Sequence, residues 1–160
     1  MSRFRGNHEG KKDAKNRVSI PSAFRTALKG GDNPETLQIV LRPSHNFPCI
    51  EGWSPAGFDA QEEMLTALPR FSVEEETLAL ALNSVATDVE TDREGRIVLP
   101  AKLIDYAGLG DKVVFLGAGS HFQIWEPAAA ERRVAEALSQ AKLLRMTLPA
   151  QMAPGPRGAP

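Results

Sequence analysis

The sequence predicts an α+β protein, mainly β, in which two copies of one small unit interlock within a single chain of 160 residues. Three observations predict it. Residues 13–21 read DAKNRVSIP and residues 92–100 read DREGRIVLP, so Asp, Arg and Pro recur at one spacing, with Val18/Ile97 and Ile20/Leu99 in register. The segments downstream of the two motifs also match: a short amphipathic stretch (SAFRTALKGG, AKLIDYAGLGD), an apolar run (Leu37–Leu41, Lys112–Leu116), a turn, and a closing segment ending at Trp53 or Trp125. A mostly-β unit of this size is too small to bury its own strand edges. Two units packed together can close a barrel, which argues for interlocked halves and not for beads on a string.

Each unit reads strand, turn, strand, short helix, strand, turn, strand. The stretch before the second motif alternates, with Val85, Thr87, Val89 and Thr91 on one face and Ala86, Asp88 and Glu90 on the other. In each turn the Asp can bond its own backbone two residues on. Asn16 and Gly95 stand where a positive φ is expected. Arg17 and Arg96 follow four residues after Asp13 and Asp92, close enough to pair with the carboxylates across the turn. Pro21 and Pro100 end the strands and suit a first helical position. Phe24 with Leu28, and Leu103 with Ala107, give each helix a short apolar face, and Gly30 and Gly108 stop them.

Between the units lies a helical connector. Ser54-Pro55 opens it, Phe58, Met64, Leu65 and Leu68 form a stripe, and Pro69 ends it; Ser72 with Glu75 predicts a capping box for a second helix to about Ala81. After Trp125, Pro127 begins a long helix with Val134, Leu138, Ala141 and Leu144 along one edge. The last residues, LPAQMAPGPRGAP, have the composition of a disordered tail. The expected organisation is a first unit over 1–54, a connector over 55–82, a second unit over 83–127, a helix over 128–147 and a tail over 148–160.

Composition narrows the function. With 42% apolar and 24% charged residues the chain reads as globular, and no apolar run approaches the roughly 18 residues of a membrane span. The opening MSRFRGNHEG lacks the apolar core of a secretory signal, and the lone Cys49 leaves no internal disulfide, so a reducing, cytosolic compartment is expected. The net charge of -1 hides a segregation. Residues 1–30 carry eight basic side chains (Arg3, Arg5, Lys11, Lys12, Lys15, Arg17, Arg25 and Lys29) against Glu9 and Asp13. Residues 51–94 carry eleven acidic groups against Arg70 and Arg93. Such segregation fits an anionic partner for the basic end, a match between neighbouring copies, or two merely solvated faces.

Other motifs fail on context. VVFLGAGSHF begins like a dinucleotide-binding turn, but position 122 is Phe where that fingerprint needs Gly or Ala, and a strand comes next where it needs a helix. His8, His45 and His121 have no metal-ligand spacing, so no metal is expected. No serine sits in a nucleophile elbow. Glu74, Glu75 and Glu76 suit the first turn of a helix. Nothing demands an enzyme, a cofactor or a small-molecule substrate. Each motif Arg can simply pin its turn. Where the copies differ, the first sits among Arg3, Arg5, Lys11, Lys12 and Lys15, the second among Glu90, Asp92 and Glu94, so any phosphate contact belongs to the first.

FRGNHEGKKDAKNRVSIPSAFR and DREGRIVLPAKLIDYAGLGDKVVFLGAGSHFQIW resemble the MraZ family of bacterial transcriptional regulators, over about residues 4–127. The most specific part is the pair Asp13/Arg17/Pro21 and Asp92/Arg96/Pro100 in one chain. The resemblance implies two swapped-hairpin units of the SpoVT/AbrB type joined as a double-split β-barrel with flanking helices. It also implies ring-shaped homo-oligomers that bind repeated DNA sites upstream of division and cell-wall genes, including the regulator's own gene. Asn16 stands where the family has Gly, and Thr77–Leu82 carries none of the arginines usual there. Taken with the charge pattern, this makes Arg3, Arg5, Lys11, Lys12, Lys15 and Arg17 the candidate DNA-binding residues, and Asp13, Arg17, Asp92 and Arg96 the turn-stabilising set. The expected setting is cytoplasmic and nucleoid-associated. The rival reading is an AbrB-like protein-interaction or antitoxin-type module.

Overall fold

The computed structural model describes residues 3–30 and 34–151, with side chains as far as residue 144. The first unit contains β1 (Asn7–Lys11), β2 (Arg17–Ser19), α1 (Ser22–Lys29), β3 (Gln38–Pro43) and β4 (Ile50–Trp53). The connector holds α2 (Pro55–Glu62), a 3-10 turn (Glu63–Ala67) and α3 (Val73–Asn83). The second unit repeats the series as β5 (Thr87–Glu90), β6 (Arg96–Val98), α4 (Ala101–Ala107), β7 (Lys112–Gly117) and β8 (Phe122–Trp125). The fold is therefore α+β, as expected, with two repeats whose order of elements is the same.

The repeats exchange strands. β1 pairs antiparallel with β7 of the other copy, from Asn7↔Leu116 to Lys11↔Lys112, and β5 pairs with β3, from Gln38↔Glu90 to Leu41↔Thr87. β4 and β8 join the halves, giving a six-stranded sheet in the order β1-β7-β8-β4-β3-β5. Swapping the two copies leaves that order unchanged. β2 and β6 form a separate two-stranded ribbon, one strand from each copy. All four strands of each copy pair with a strand of the other, as β1–β7, β2–β6, β3–β5 and β4–β8, so neither copy can unfold without exposing strand edges of the other.

The main core lies between ribbon and sheet. The ribbon contributes Val18, Ile20, Ile97 and Leu99, and the sheet Ile39, Leu41, Ile50, Val113, Phe115, Phe122 and Ile124. α1 inserts Phe24, which is fully buried and stacks on Phe122 at 5.2 Å between centroids. β3 is buried on both faces: Val40 joins Trp53 and Phe58 in a second cluster beneath α2. There Arg42 pairs with Glu51 at 2.9 Å, opposite it in the β3–β4 register.

Gly117 shows why the dinucleotide-like motif is glycine-rich. A Cβ there would stand 2.5 Å from the Phe4 carbonyl oxygen and the Arg5 nitrogen, so β7 needs a hydrogen at this position to receive the first copy's N-terminal arm. Phe4 and Gly119 exchange backbone bonds of 2.9 Å in both directions, and Ala118 N–H donates to His121 across a tight turn into β8.

Several boundaries differ from expectation. The connector stripe is broken, because the chain tightens into the 3-10 turn after Glu62 and leaves Met64 72% exposed. α3 continues two residues past Ala81, to Asn83. Its cap is split: Ser72 Oγ accepts from Glu75 N–H at 3.1 Å, while the Glu75 carboxylate accepts from Phe71 N–H at 2.7 Å. α5 (Pro127–Gln151) runs through the point where composition predicts the start of a tail. The remainder of that expected tail, 152–160, lies outside the described residues. On α5, Leu138 and Leu144 of the expected apolar edge are exposed. Among the described residues, no helix is long and apolar enough to cross a membrane.

Candidate nucleic-acid interface

The two motif turns have one construction. Asp13 Oδ1 accepts from the N–H groups of Lys15 at 2.9 Å and Arg17 at 2.8 Å, and its Oδ2 accepts from Arg17 Nε at 2.7 Å. Asp92 repeats this with Glu94 at 2.9 Å, Arg96 at 3.0 Å and Arg96 Nε at 2.8 Å. Asn16 and Gly95 take φ values of 62° and 80°, the conformation expected of them. The turns also lock each other. Ile20 N–H donates to Gly95 O at 2.9 Å, and Leu99 N–H donates to Asn16 O at 2.8 Å. Each copy's turn thus fixes the strand end of the other.

Both carboxyls are held below their ordinary pKa, foremost by the backbone N–H of the motif Arg, then by its guanidinium and the N–H two residues on. Bonding to the charged form is what favours it. Arg96 is pushed up, first by its bond to Asp92, then by the charges of Asp92, Glu94 and Asp13.

The turns differ in what surrounds the Arg. Arg96 is gripped by two carboxylates, Asp92 through Nε and Glu94 through Nη2 at 2.8 Å. Arg17 is gripped by Asp13, and Lys15 occupies the place of Glu94. The first turn therefore presents a positive edge, and the second is close to neutralised.

The structure divides the basic N-terminus in two. Lys11, Lys12, Lys15 and Arg17 gather at one end of β1. Lys11 and Lys15 are exposed; Lys12 is half-buried, with Nζ 3.5 Å from Asn16 Oδ1. Arg3 and Arg5, also exposed, lie at the other end, beside Gly117–Gly119. The length of β1, about 15 Å, separates the groups. Sequence reasoning treats these six residues as one patch because they are close in the chain. An extended strand carries them apart.

Two further features lie outside the sequence expectation. The Arg25 guanidinium from α1 lies over the second turn, with Nη1 2.6 Å from where a Gly95 Cβ would stand. The ribbon's outer face carries Arg17, Ser19, Arg96 and Val98, while Val18 and Ile97 face the core. Period-two alternation in RVS and RIV is the signal for that face.

The fold and this site define a class: a duplicated, strand-exchanged module that presents a charged turn from each repeat. A family model described as "MraZ protein, putative antitoxin-like" matches residues 3–80 and 82–150, and the chain belongs to that family. It is 50% identical to the "Transcriptional regulator MraZ" of Gluconacetobacter diazotrophicus, over 94% of each chain. It is 46% identical to the protein of that name from Gluconobacter oxydans, over 90% of this chain and 88% of the relative. A third, from Parvibaculum lavamentivorans, is 42% identical over 81% and 79%.

Proposed function

We propose that the chain is a sequence-specific DNA-binding transcriptional regulator. In this reading the units at 1–54 and 83–127 are SpoVT/AbrB-like halves of a double-split β-barrel, joined by the connector at 55–82 and followed by the helix at 128–147. The protein works in the cytoplasm, at the nucleoid, as a ring of identical subunits. Its targets are repeated sites upstream of division and cell-wall genes and of its own gene, where it represses. It is not an enzyme. The relatives' shared name and the strand exchange support this reading.

The observation that carries it is the contrast between the turns. Arg17 is oriented by Asp13 yet flanked by Lys11, Lys12 and Lys15, whereas Arg96 is also paired with Glu94. The lysines suit phosphates, which supply affinity without sequence; a held guanidinium suits the two acceptors of a guanine edge. Arg3 and Arg5, about 15 Å away, serve as a second backbone contact. One such patch binds weakly, and a ring that engages several spaced repeats raises avidity by about 100-fold or more.

The test is fluorescence anisotropy over a salt series, with the region upstream of the protein's own gene and a scrambled duplex. Specific, salt-sensitive binding weakened by Lys15→Ala or Arg17→Ala is expected. Equal binding to both duplexes by folded protein overturns the reading. The words "antitoxin-like" in the family description favour the protein-interaction module as the alternative, and that module predicts a protein partner and no preference among duplexes.

A further inference from the structure

The ribbon's outer face holds a residue that phosphate binding does not explain. Val98 is 56% exposed although it is apolar and lies mid-fold, while its neighbours Ile97 and Leu99 are each 1% exposed. A single exposed valine is ordinary. Its position is what matters. Arg17↔Val98 and Ser19↔Arg96 are opposite pairs in the ribbon. Bonds at the ends of the ladder join Asn16 with Leu99 and Ile20 with Gly95. Antiparallel pairs alternate, so Arg17 and Val98 form a non-hydrogen-bonded pair, the kind whose side chains stand closest, with Cα atoms about 4.5 Å apart.

A two-stranded ribbon fits the major groove of DNA, and successive bases rise by about 3.4 Å. Two side chains pointing the same way from one such pair therefore cover neighbouring base pairs. An arginine there takes the two acceptors of guanine. The apolar group that the groove offers is the C5-methyl of thymine. The other pair is chemically different: Arg96 is already held by Asp92 and Glu94, and Ser19 can accept or donate, so it discriminates little.

We infer that Val98 is a specificity-determining residue, packing on a thymine methyl in the base pair next to the one Arg17 reads. This rests on the reading above, that the ribbon faces DNA. Charge complementarity supports DNA as the occupant, since Arg17 stands directly opposite Val98 and Lys15 belongs to the same Asp13 turn.

The test compares the upstream duplex with the same duplex in which every thymine is replaced by deoxyuridine, which removes the methyl and leaves the pairing edges. The unsubstituted protein should bind the deoxyuridine duplex about fourfold more weakly for each methyl contacted. Val98→Ala should bind the thymine duplex more weakly by a similar factor and no longer distinguish the two. Val98→Thr, which keeps one methyl, should retain part of the preference. Thermal melting should show all three proteins equally folded, because Val98 is outside the core. If the unsubstituted protein is indifferent to deoxyuridine, or Val98→Ala keeps the full preference, the inference is overturned while the DNA-binding reading stands. If the unsubstituted protein binds promoter and scrambled duplexes alike, both fall.

Discussion

Lys15→Glu is the sharpest perturbation of the proposed interface, because the second turn already shows its outcome. Glu94 occupies the position of Lys15 and pairs with Arg96 at 2.8 Å. A glutamate at 15 should bond Arg17 in the same way. On the proposed function, the phosphate contact of Lys15 and the base contact of Arg17 are then lost in each turn. Each phosphate contact adds about 0.9 to the slope of log affinity against log salt, so the slope should fall by about 0.9 for each turn engaged. Over a fourfold rise in salt, each phosphate contact weakens binding by roughly 3.5-fold, so the variant should lose roughly 3.5-fold less affinity than the parent for each turn engaged. Loss of the guanine contact of Arg17 lowers discrimination by about 1–3 kcal/mol, or roughly 5- to 150-fold. Stability should hardly move: an exposed ion pair contributes about 0–1 kcal/mol, and the substitution forms one. Anisotropy titrations at several salt concentrations, with a parallel urea melt, measure both. An unchanged salt slope with folded protein would show that Lys15 faces away from phosphate.

Other perturbations test the fold beneath the interface. Phe24→Ala empties a site where a fully buried ring meets Phe4 at 5.6 Å and Phe122 at 5.2 Å; it should cost about 3–5 kcal/mol in chemical denaturation, and a cost near 1 kcal/mol would mean the site collapses. Glu51→Ala leaves the Arg42 guanidinium, 6% exposed, buried without its carboxylate, and removes the acceptor of Trp53 Nε1 at 3.0 Å. A loss of about 3–5 kcal/mol is expected, with Glu51→Gln milder, and equal losses for the two would argue against a charge effect. Gly95→Ala puts a Cβ at φ 80° and against Arg25, and should cost at least about 1–2 kcal/mol by thermal melting, whereas Asn16→Gly should be close to neutral. Acid should act in two stages. Burial, first of its causes, lowers the His121 pKa, with Glu51 opposing and Arg42 assisting, so the fold holds it neutral against Trp53 at 4.5 Å. The unfolded state then takes up protons first, and stability falls as pH drops below about 6.5. Asp13 and Asp92 are also lowered, so their contribution is present above about pH 4 and lost as pH falls through their folded values. Melting temperatures from pH 8 to 3 should show the first stage vanish in His121→Gln and the second persist.

The legible parts of the fold are those encoded within a few residues. The Asp, the positive-φ residue, the Arg and the Pro of each turn sit next to one another, and local hydrogen bonding fixes their geometry. The repeat predicts that the two units interlock. It cannot say which strands exchange, because β1–β7 and β3–β5 bring together segments that no local pattern links. The same reason hides Arg25, whose guanidinium crosses to the other copy's turn, while the pairing of Arg42 with Glu51 depends on the exact register of the β3–β4 hairpin. Charge counting along the chain overstates the extent of the basic patch, since it ignores that a strand rises about 3.3 Å per residue.

The fused duplication itself explains why the interface can be uneven. A dimer of identical units would carry the same turn twice, and any substitution would appear at both ends of the ribbon. Here one chain supplies both strands of the ribbon, so each turn is free to change alone. The differences fall outside the core: Lys15 against Glu94, Ser19 against Val98, Asn16 against Gly95. The positions that must fill the space beneath the ribbon stay matched, as Val18 with Ile97 and Ile20 with Leu99, all 1% exposed. Packing holds the shape symmetric, and solvent exposure lets the chemistry diverge. A surface of that kind has a direction: from β2 to β6 it runs from an arginine flanked by lysines to one held by two carboxylates. On the proposed function, each chain should therefore bind its DNA in one orientation, and reversing the site relative to its neighbours should disrupt binding of the ring even though every base is kept.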